Sequence, residues 1–235
     1  KKPIIIIGES ALSSESGKYI FESIKSFLKI NKKITDDWNP INIIFKNAST
    51  VGSLDLGIYK NLEERNEILD DLENNKFKIV YLLGQDNLNF KKKDEFIIYQ
   101  GSHGDRGAEI ADVILPGASY TEQNGYFTNL EGTLQHAYKA TYPPGLAKED
   151  WLIINELSEI INNKKIFKDK FDLENSMLNY LNLFKESNSS KKDTEKKNLS
   201  FVSENIKLNS IDYYFSNVIA RSSKTMFMCR DEKKK

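Results

Sequence analysis

The chain has one cysteine in 235 residues, Cys229, and two histidines, His103 and His136. A single thiol excludes an internal disulfide, and it excludes any cysteine-ligated iron–sulfur cluster or structural zinc site built within this chain. A reducing compartment is the simpler assumption. Excess charge of either sign is also missing, because Lys+Arg and Asp+Glu balance at 34 each. With no global field to attract a polyanion, nucleic acid is not expected as a partner. Long apolar runs are missing too. The first, Ile4 to Ile7, is far short of a signal-peptide core or a membrane span, and later runs come no closer, so no direct membrane insertion is expected. Three catalytic signatures are absent: the Gly-x-Ser-x-Gly elbow, the Gly-x-x-x-x-Gly-Lys-Ser/Thr loop and His-Glu-x-x-His. What remains is an ordinary globular composition, 39% apolar and 11% aromatic, long enough for one or two domains. The opening on Lys-Lys-Pro, without an initiator Met, gives the expectation of a chain processed or cut from something longer.

The apolar runs that are present fall at regular intervals. Pro3 to Ile7, Ile41 to Phe45, Phe77 to Leu83, Phe96 to Tyr99 and Val113 to Leu115 read as five strands, mostly without the alternation of a half-exposed sheet. Between them, Ile20, Ile24, Phe27 and Leu28 share a helical face behind candidate caps Ser13 and Ser14. Leu62, Leu69 and Leu72 mark a charged helix, and the stretch with Gly52 and Gly57 reads as a loop. This is the pattern of a doubly wound, mostly parallel α/β sheet. Beyond Pro116 the signals change. Asn124-Gly125 predicts a hairpin between Ser119–Glu122 and Tyr126–Asn129, with a second turn at Glu131-Gly132. After Pro143-Pro144-Gly145, a helix opens at Glu149 and Asp150 and places Trp151, Ile154, Leu157 and Ile161 on one face. Leu173, Met177, Tyr180, Leu181 and Phe184 form another stripe behind Asp172 as cap. From 185 to 198 there is no apolar residue to offset the entropy of ordering. The expected organisation is an α/β domain over 1–162, a further helix over 163–187, a disordered linker over 188–204, and a C-terminal docking segment with charged tail over 205–235.

Candidate chemistry is sparse. Gly8-Glu9-Ser10 after the first strand could aim backbone amides at a phosphate, though one glycine fits a plain strand-to-helix turn better. Gly101, Gly104 and Gly107 surround His103, Asp105 and Arg106, which suits either a ligand site or a turn passing close to a neighbour. His103 and His136 stand in separate segments without metal-ligand spacing, so both read as structural or exposed. Cys229 beside Arg230 reads as a small packed hydrophobe. No catalytic, cofactor-binding or metal residue is assigned.

One resemblance is long and specific. FIIYQGSHGDRGAEIADVILPGASYTEQNGYFTNLEGTLQ, then YPPGLAKEDWLIINELSEI, resembles the C-terminal region of the large iron–sulfur subunit family of respiratory complex I. PIIIIGESAL, VGSLDLG, KIVYLLGQD and IDYYFSNVIARSSKTMFMC follow in the same order. Within the wider molybdopterin oxidoreductase superfamily, ADVILPGASYTE and GYFTNLEG resemble a segment that helps hold the pterin. The resemblance implies a degenerate domain of molybdopterin oxidoreductase type, without cofactor, that supports NADH-to-ubiquinone electron transfer as a scaffold in the matrix arm, on the matrix side of the mitochondrial inner membrane. It implies iron–sulfur clusters in a partner chain carrying the N-terminal part of a split subunit, with flavin-bearing and other matrix-arm subunits as further partners. Split in this way, the isolated chain is expected to be unstable and to leave an apolar face or strand edge uncovered, and the terminal segment is expected to dock on a neighbouring subunit. Where the family has Arg after Glu131-Gly132 this chain has Thr133, which argues against a bound anion. The alternative is a domain of an active molybdopterin enzyme, with Gly101–Arg106 and Thr121–Gln135 lining a dinucleotide-type cofactor. A free nucleotide-binding module rests on fold analogy alone.

Overall fold

The computed structural model describes residues 2–58, 62–85, 88, 90–189, 200–203 and 212–234. In chain order the elements begin with strand β1 (Ile5–Gly8), helices α1 (Glu9–Leu12) and α2 (Gly17–Ile30), strand β2 (Ile41–Ile44) and helices α3 (Thr50–Asp55) and α4 (Leu62–Glu73). Strands β3 (Ile79–Leu83) and β4 (Phe96–Gly101), helix α5 (Arg106–Glu109) and strands β5 (Val113–Pro116), β6 (Gly125–Thr128) and β7 (Leu134–Ala137) follow. Helices α6 (Asp150–Asn162) and α7 (Lys170–Ser189), a 3-10 turn (Tyr213–Phe215) and helices α8 (Val218–Ser222) and α9 (Lys224–Lys234) complete the described chain. The fold class is the expected one, mixed α/β with parallel sheets. The five apolar runs are divided between a pair, β1-β2, and a triplet in the order β3-β4-β5, all parallel.

Two compact units carry these sheets. The first comprises Lys1–Tyr59, Tyr126–His136 and Asn175–Leu208. In it, Ile5 pairs with Ile41 and Ile7 with Ile43, and the side chains of these paired residues share one face. Leu28 of α2 is fully buried in this unit. Residues 200–203 return to α2: Ser16 Oγ donates to the carbonyl of Val202 and accepts from its amide, each at 2.9 Å, and Phe201 meets Tyr19 edge-on.

The second unit comprises Lys60–Gly125, Ala137–Glu174 and Asn209–Lys235. Its core is Leu82, Ile97 and Tyr99, with Val80, Phe90, Ala108 and Ile110 packed around them. Asp112 caps the entry to this core, because its Oδ2 accepts from the Ile97 amide at 2.8 Å while Lys92 holds Oδ1 at 2.6 Å. These two contacts, the amide first, hold its carboxyl below the ordinary aspartate value. Lys148 extends the sheet beyond β5 through its bridge to Gly117. Asn155, buried on α6, pins the following loop by accepting from the amides of Ile166 and Phe167 and donating to the Phe167 carbonyl.

Several local expectations are corrected. Ser13 and Ser14 do not cap α2, which starts after Ser16; Ser13 instead ends α1. The Gly52 stretch is helix α3, not a loop. The strands β6 and β7 pair around residues 129–133, so the turn is at Glu131-Gly132 rather than Asn124-Gly125. Asn129 decides this: its Oδ1 accepts from the amides of Glu131 and Thr133, a side-chain turn that propensity alone does not rank above Asn-Gly. Helix α7 begins before Asp172, whose amide is taken by Asp169 Oδ1 as the true cap. Phe27 and Ile161 lie on their predicted faces yet are largely exposed. Asp231 to Lys234 continue α9 rather than forming a tail. Residues 190–199 and 204 of the expected linker lie outside the described residues, as do residues 205–211 at the start of the expected docking segment.

Glu149, which precedes α6, ties that helix to the start of α7. Burial opposes its ionisation, but the Lys170 ammonium at 2.7 Å, the Trp151 indole at 3.0 Å and the charge of Lys139 outweigh it and hold the carboxyl below its ordinary value. A lowered pKa contributes stability above the ordinary glutamate range and loses it as pH falls through the folded value. Glu149→Gln is therefore expected to cost ~1–2 kcal/mol at pH 7. In urea unfolding followed by tryptophan fluorescence, the difference from the unsubstituted protein shrinks below pH 4.5, the ordinary value. A cost that stays constant down to pH 3 contradicts this assignment.

Candidate functional site

Ligands of parallel α/β folds bind beyond the carboxyl ends of the strands, and here that edge starts at Gln100. This polar residue, next to last in an otherwise apolar strand, pairs laterally with Leu83 and Leu115 and is fully buried. A buried amide must have both its donors and its acceptor satisfied. Its Nε2 donates to Asp150 Oδ1 at 2.7 Å and to the Asp150 carbonyl at 3.2 Å, while the Tyr81 hydroxyl donates to its Oε1. The second carboxylate oxygen of Asp150 accepts from Gln123 Nε2 at 3.0 Å, and Gln123 Oε1 accepts from the Asp150 amide at 3.2 Å. One carboxylate at the first residue of α6 thus joins β4, the 118–123 segment and the helix. Gly117 permits this, because a Cβ there would stand 2.7 Å from Asp150 Oδ1 and push it off Gln100. Burial, then the Asp150 charge, raises the Tyr81 hydroxyl above the ordinary tyrosine value, so it remains a protonated donor at neutral pH.

The glycine-rich turn follows directly. Gly101 and Gly107 both lie against the Tyr99 ring, and a Cβ on Gly107 would also meet the Gln85 carbonyl at 2.7 Å. The bare backbone is therefore a close approach to an aromatic side chain, the structural one of the two readings of this turn. The Tyr99 hydroxyl donates to the His103 carbonyl at 2.9 Å, and His103 Nδ1 lies 2.9 Å from Ser102 Oγ. Arg106 starts α5 and is exposed.

Asp105 is claimed from far away in sequence. Arg221 of α8 donates to its Oδ2 at 2.6 Å, and Ser222 Oγ reaches the Gly104 carbonyl at 3.4 Å. The segment that presents them has its own small core: Arg230 binds Asp212 at 2.6 Å and lies over Phe215, which stacks with Phe227. Asn217 caps α8 through the Ala220 amide. Residues 212–234 are thus docked on the turn of their own chain.

The other predicted positions fall elsewhere. Gly8 caps the four-residue helix α1, and Glu9 accepts from the Lys46 amide at 2.6 Å, which places a carboxylate where a phosphate would have to sit. His136 stacks on Tyr126 in the β6-β7 hairpin, in the other unit from His103. Thr133 closes that hairpin with its amide. Cys229 is exposed on α9 rather than packed as a small hydrophobe, and it is Arg230 beside it that serves the terminal core. Gln100, Gln123, Asp150 and Asn155 were missed in the sequence. For Gln100 and Asn155 the signal is a polar side chain in an apolar strand or on an apolar helix face, which marks a buried network; Gln123, in a polar loop, and Asp150, at a helix start, carry no such signal.

These residues do not fit an anionic pterin cofactor. A cavity of about 310 Å³ opens beside the turn between Ser102, His103, Gly117, Glu122 and Leu146. Its described lining includes a carboxylate and no lysine or arginine, Asp150 adds a second carboxylate next to Gly117, Arg221 is paired with Asp105, and Arg106 of the turn is not part of that lining. A phosphate brought here would meet like charge. Among the described residues, no group of three or more His, Cys, Asp or Glu could hold a metal ion, and no helix is long and apolar enough to cross a membrane.

Parallel strands with this carboxyl edge define an α/β domain of the ligand-binding type, closed at that edge by its own side chains. The chain belongs to the molybdopterin oxidoreductase family, whose model matches residues 1–160. Its relatives include the NADH-ubiquinone oxidoreductase 75 kDa subunit of Reclinomonas americana, 39% identical over 236 residues that take in 97% of this chain and 34% of that protein. The mitochondrial NADH-ubiquinone oxidoreductase 78 kDa subunit of Candida albicans is 38% identical over 245 residues, 97% of this chain and 33% of that protein. An NADH-quinone oxidoreductase subunit of Rickettsia bellii is 38% identical over 239 residues, 99% of this chain and 34% of that protein. The chain spans about one third of the length of these curated relatives. They agree with the resemblance read from the motifs.

The Asp105–Arg221 bridge gives a direct test. Arg221→Ala is expected to cost the docked segment ~1–2 kcal/mol, read as lost hydrogen-exchange protection in α8 and α9 with β3, β4 and β5 unchanged. The exchange of charges, Asp105→Arg with Arg221→Asp, restores protection. Unchanged protection in the single variant contradicts the docking.

Proposed function

We propose that this chain is a structural part of the matrix arm of respiratory complex I, on the matrix side of the mitochondrial inner membrane. It corresponds to the scaffold region of the large iron–sulfur subunit and supports electron transfer from NADH to ubiquinone without binding a cluster itself. In this reading the clusters sit on a partner chain carrying the N-terminal part of the subunit, and this chain holds no catalytic, cofactor-binding or metal residue. The observation that carries the reading is the extent of the likeness. The family model stops at residue 160, whereas the likeness to the 75 and 78 kDa subunits takes in 97% of the chain. It therefore continues well past the α/β region common to the family. The closed carboxyl edge is consistent with a scaffold, since Gln100, Gln123, Asp150 and Arg221 are engaged with each other or with Asp105.

The family match supports a second reading, the cofactor-binding domain of an active molybdopterin oxidoreductase. The two carboxylates at the edge and the paired Arg221 count against it. Purification of the tagged chain from its native membranes separates the two, on a native gel stained for NADH dehydrogenase activity with mass spectrometry of the band. The scaffold reading expects co-migration with a large active assembly that includes a separate cluster-bearing chain. Recovery in a small complex containing molybdenum overturns it.

A further inference from the structure

Strand β1 is a run of isoleucines, and a strand half-exposed to water alternates apolar with polar residues instead. Such a run encodes burial on both faces. In the structure one face is covered: Ile5, Ile7, Ile41 and Ile43 point to it, and Ile7 is buried. The other is open. Ile4 and Ile6 are each 63% exposed, and Ile44, in register with Gly8, is 51% exposed. Asn42, the partner of Ile6, is the one polar side chain the two strands place on this face, and its amide nitrogen is taken by the Pro40 carbonyl at 3.1 Å. Neither strand carries a charged residue to guard it. Parallel strands occur almost only with both faces covered, because their crossover connections lay helices there. A two-stranded parallel pair is also marginal by itself.

We propose that the face marked by Ile4, Ile6 and Ile44 is an interaction surface that takes an aliphatic helical face of one partner. That partner is the polypeptide equivalent to the part of the relatives which these 235 residues leave out. Three observations select this occupant. The relatives carry about two thirds of their length beyond what this chain spans, which is enough for the missing layer. The fold class calls for a helix over this face rather than a second sheet. The surface is uncharged and aliphatic, so it selects buried apolar contact over electrostatic steering. The identity of the partner rests on the complex I reading, whereas the existence of the covered face does not.

The test is a photoreactive phenylalanine in place of Ile6, introduced in the native cells, with irradiation of the purified assembly and sequencing of the adduct. An adduct on polypeptide homologous to the omitted part of the relatives, joined to this chain or separate, is the expected result. An adduct on a second copy of this chain, on residues 1–235 of the same copy, on any other protein, or none at all overturns the surface. A second measurement covers misfolding at the probe. Ile6→Asp with Ile44→Asp is expected to lower recovery in the assembly at least about tenfold, while Ile160→Asp, at an exposed position on α6, changes it less than about twofold. Equal recovery of both variants overturns the surface too. The native gel, read separately, decides the complex I assignment, and an Ile6 adduct of the expected kind in a non-respiratory assembly keeps the surface and discards that assignment.

Discussion

Asp150 holds Gln100 with one carboxylate oxygen and Gln123 with the other, and the rest of the carboxyl edge is arranged around that contact. Gln100 is fully buried in the central strand, so its amide has no water to fall back on. An unmatched buried polar group costs more than the bond itself yields, which makes the partner obligatory rather than helpful. The sequence accommodates it in three places: glycine at 117, a tyrosine hydroxyl at 81 and an acidic residue at the first position of α6, where the helix dipole favours it.

Closing the edge in this way has a functional consequence. The same place in ligand-binding relatives of this architecture is where backbone amides and helix termini are left for a phosphate. In this chain the position is filled by carboxylates and by the chain's own terminal segment, whose Arg221 meets Asp105. That geometry supports the proposed scaffold reading, in which the domain carries shape and surface. Its exposed apolar features then become the informative ones, because a scaffold acts through what covers it.

The strands were legible because a short apolar run is a local signal, in most cases stopped by a glycine close behind it, and each of the five was found within two residues of its observed bounds. Caps and turns were less legible. Ser16 rather than Ser13 or Ser14 precedes α2, and its hydroxyl is spent on Val202, a residue 186 positions away that no local rule weighs. The glycine-rich turn was visible, but its cause, the Tyr99 ring, became visible only once the strand was bent back over it. Asp105 and Arg221 are separated by 116 residues, and nothing in either neighbourhood announces the other. Gln100 was readable in principle, as the polar residue that an apolar strand tolerates only with a buried partner.

The central claim is that this edge is held shut by the protein's own half-buried carboxylate, Asp150. The most direct measurement is the stability of Asp150→Ala by denaturant unfolding, with hydrogen exchange mapped onto β4 and residues 117–123. The account predicts a loss of ~2–4 kcal/mol, with protection falling in both segments together. A change within ~0.5 kcal/mol, or a loss confined to α6, would mean that Gln100 and Gln123 find other partners, and would contradict it.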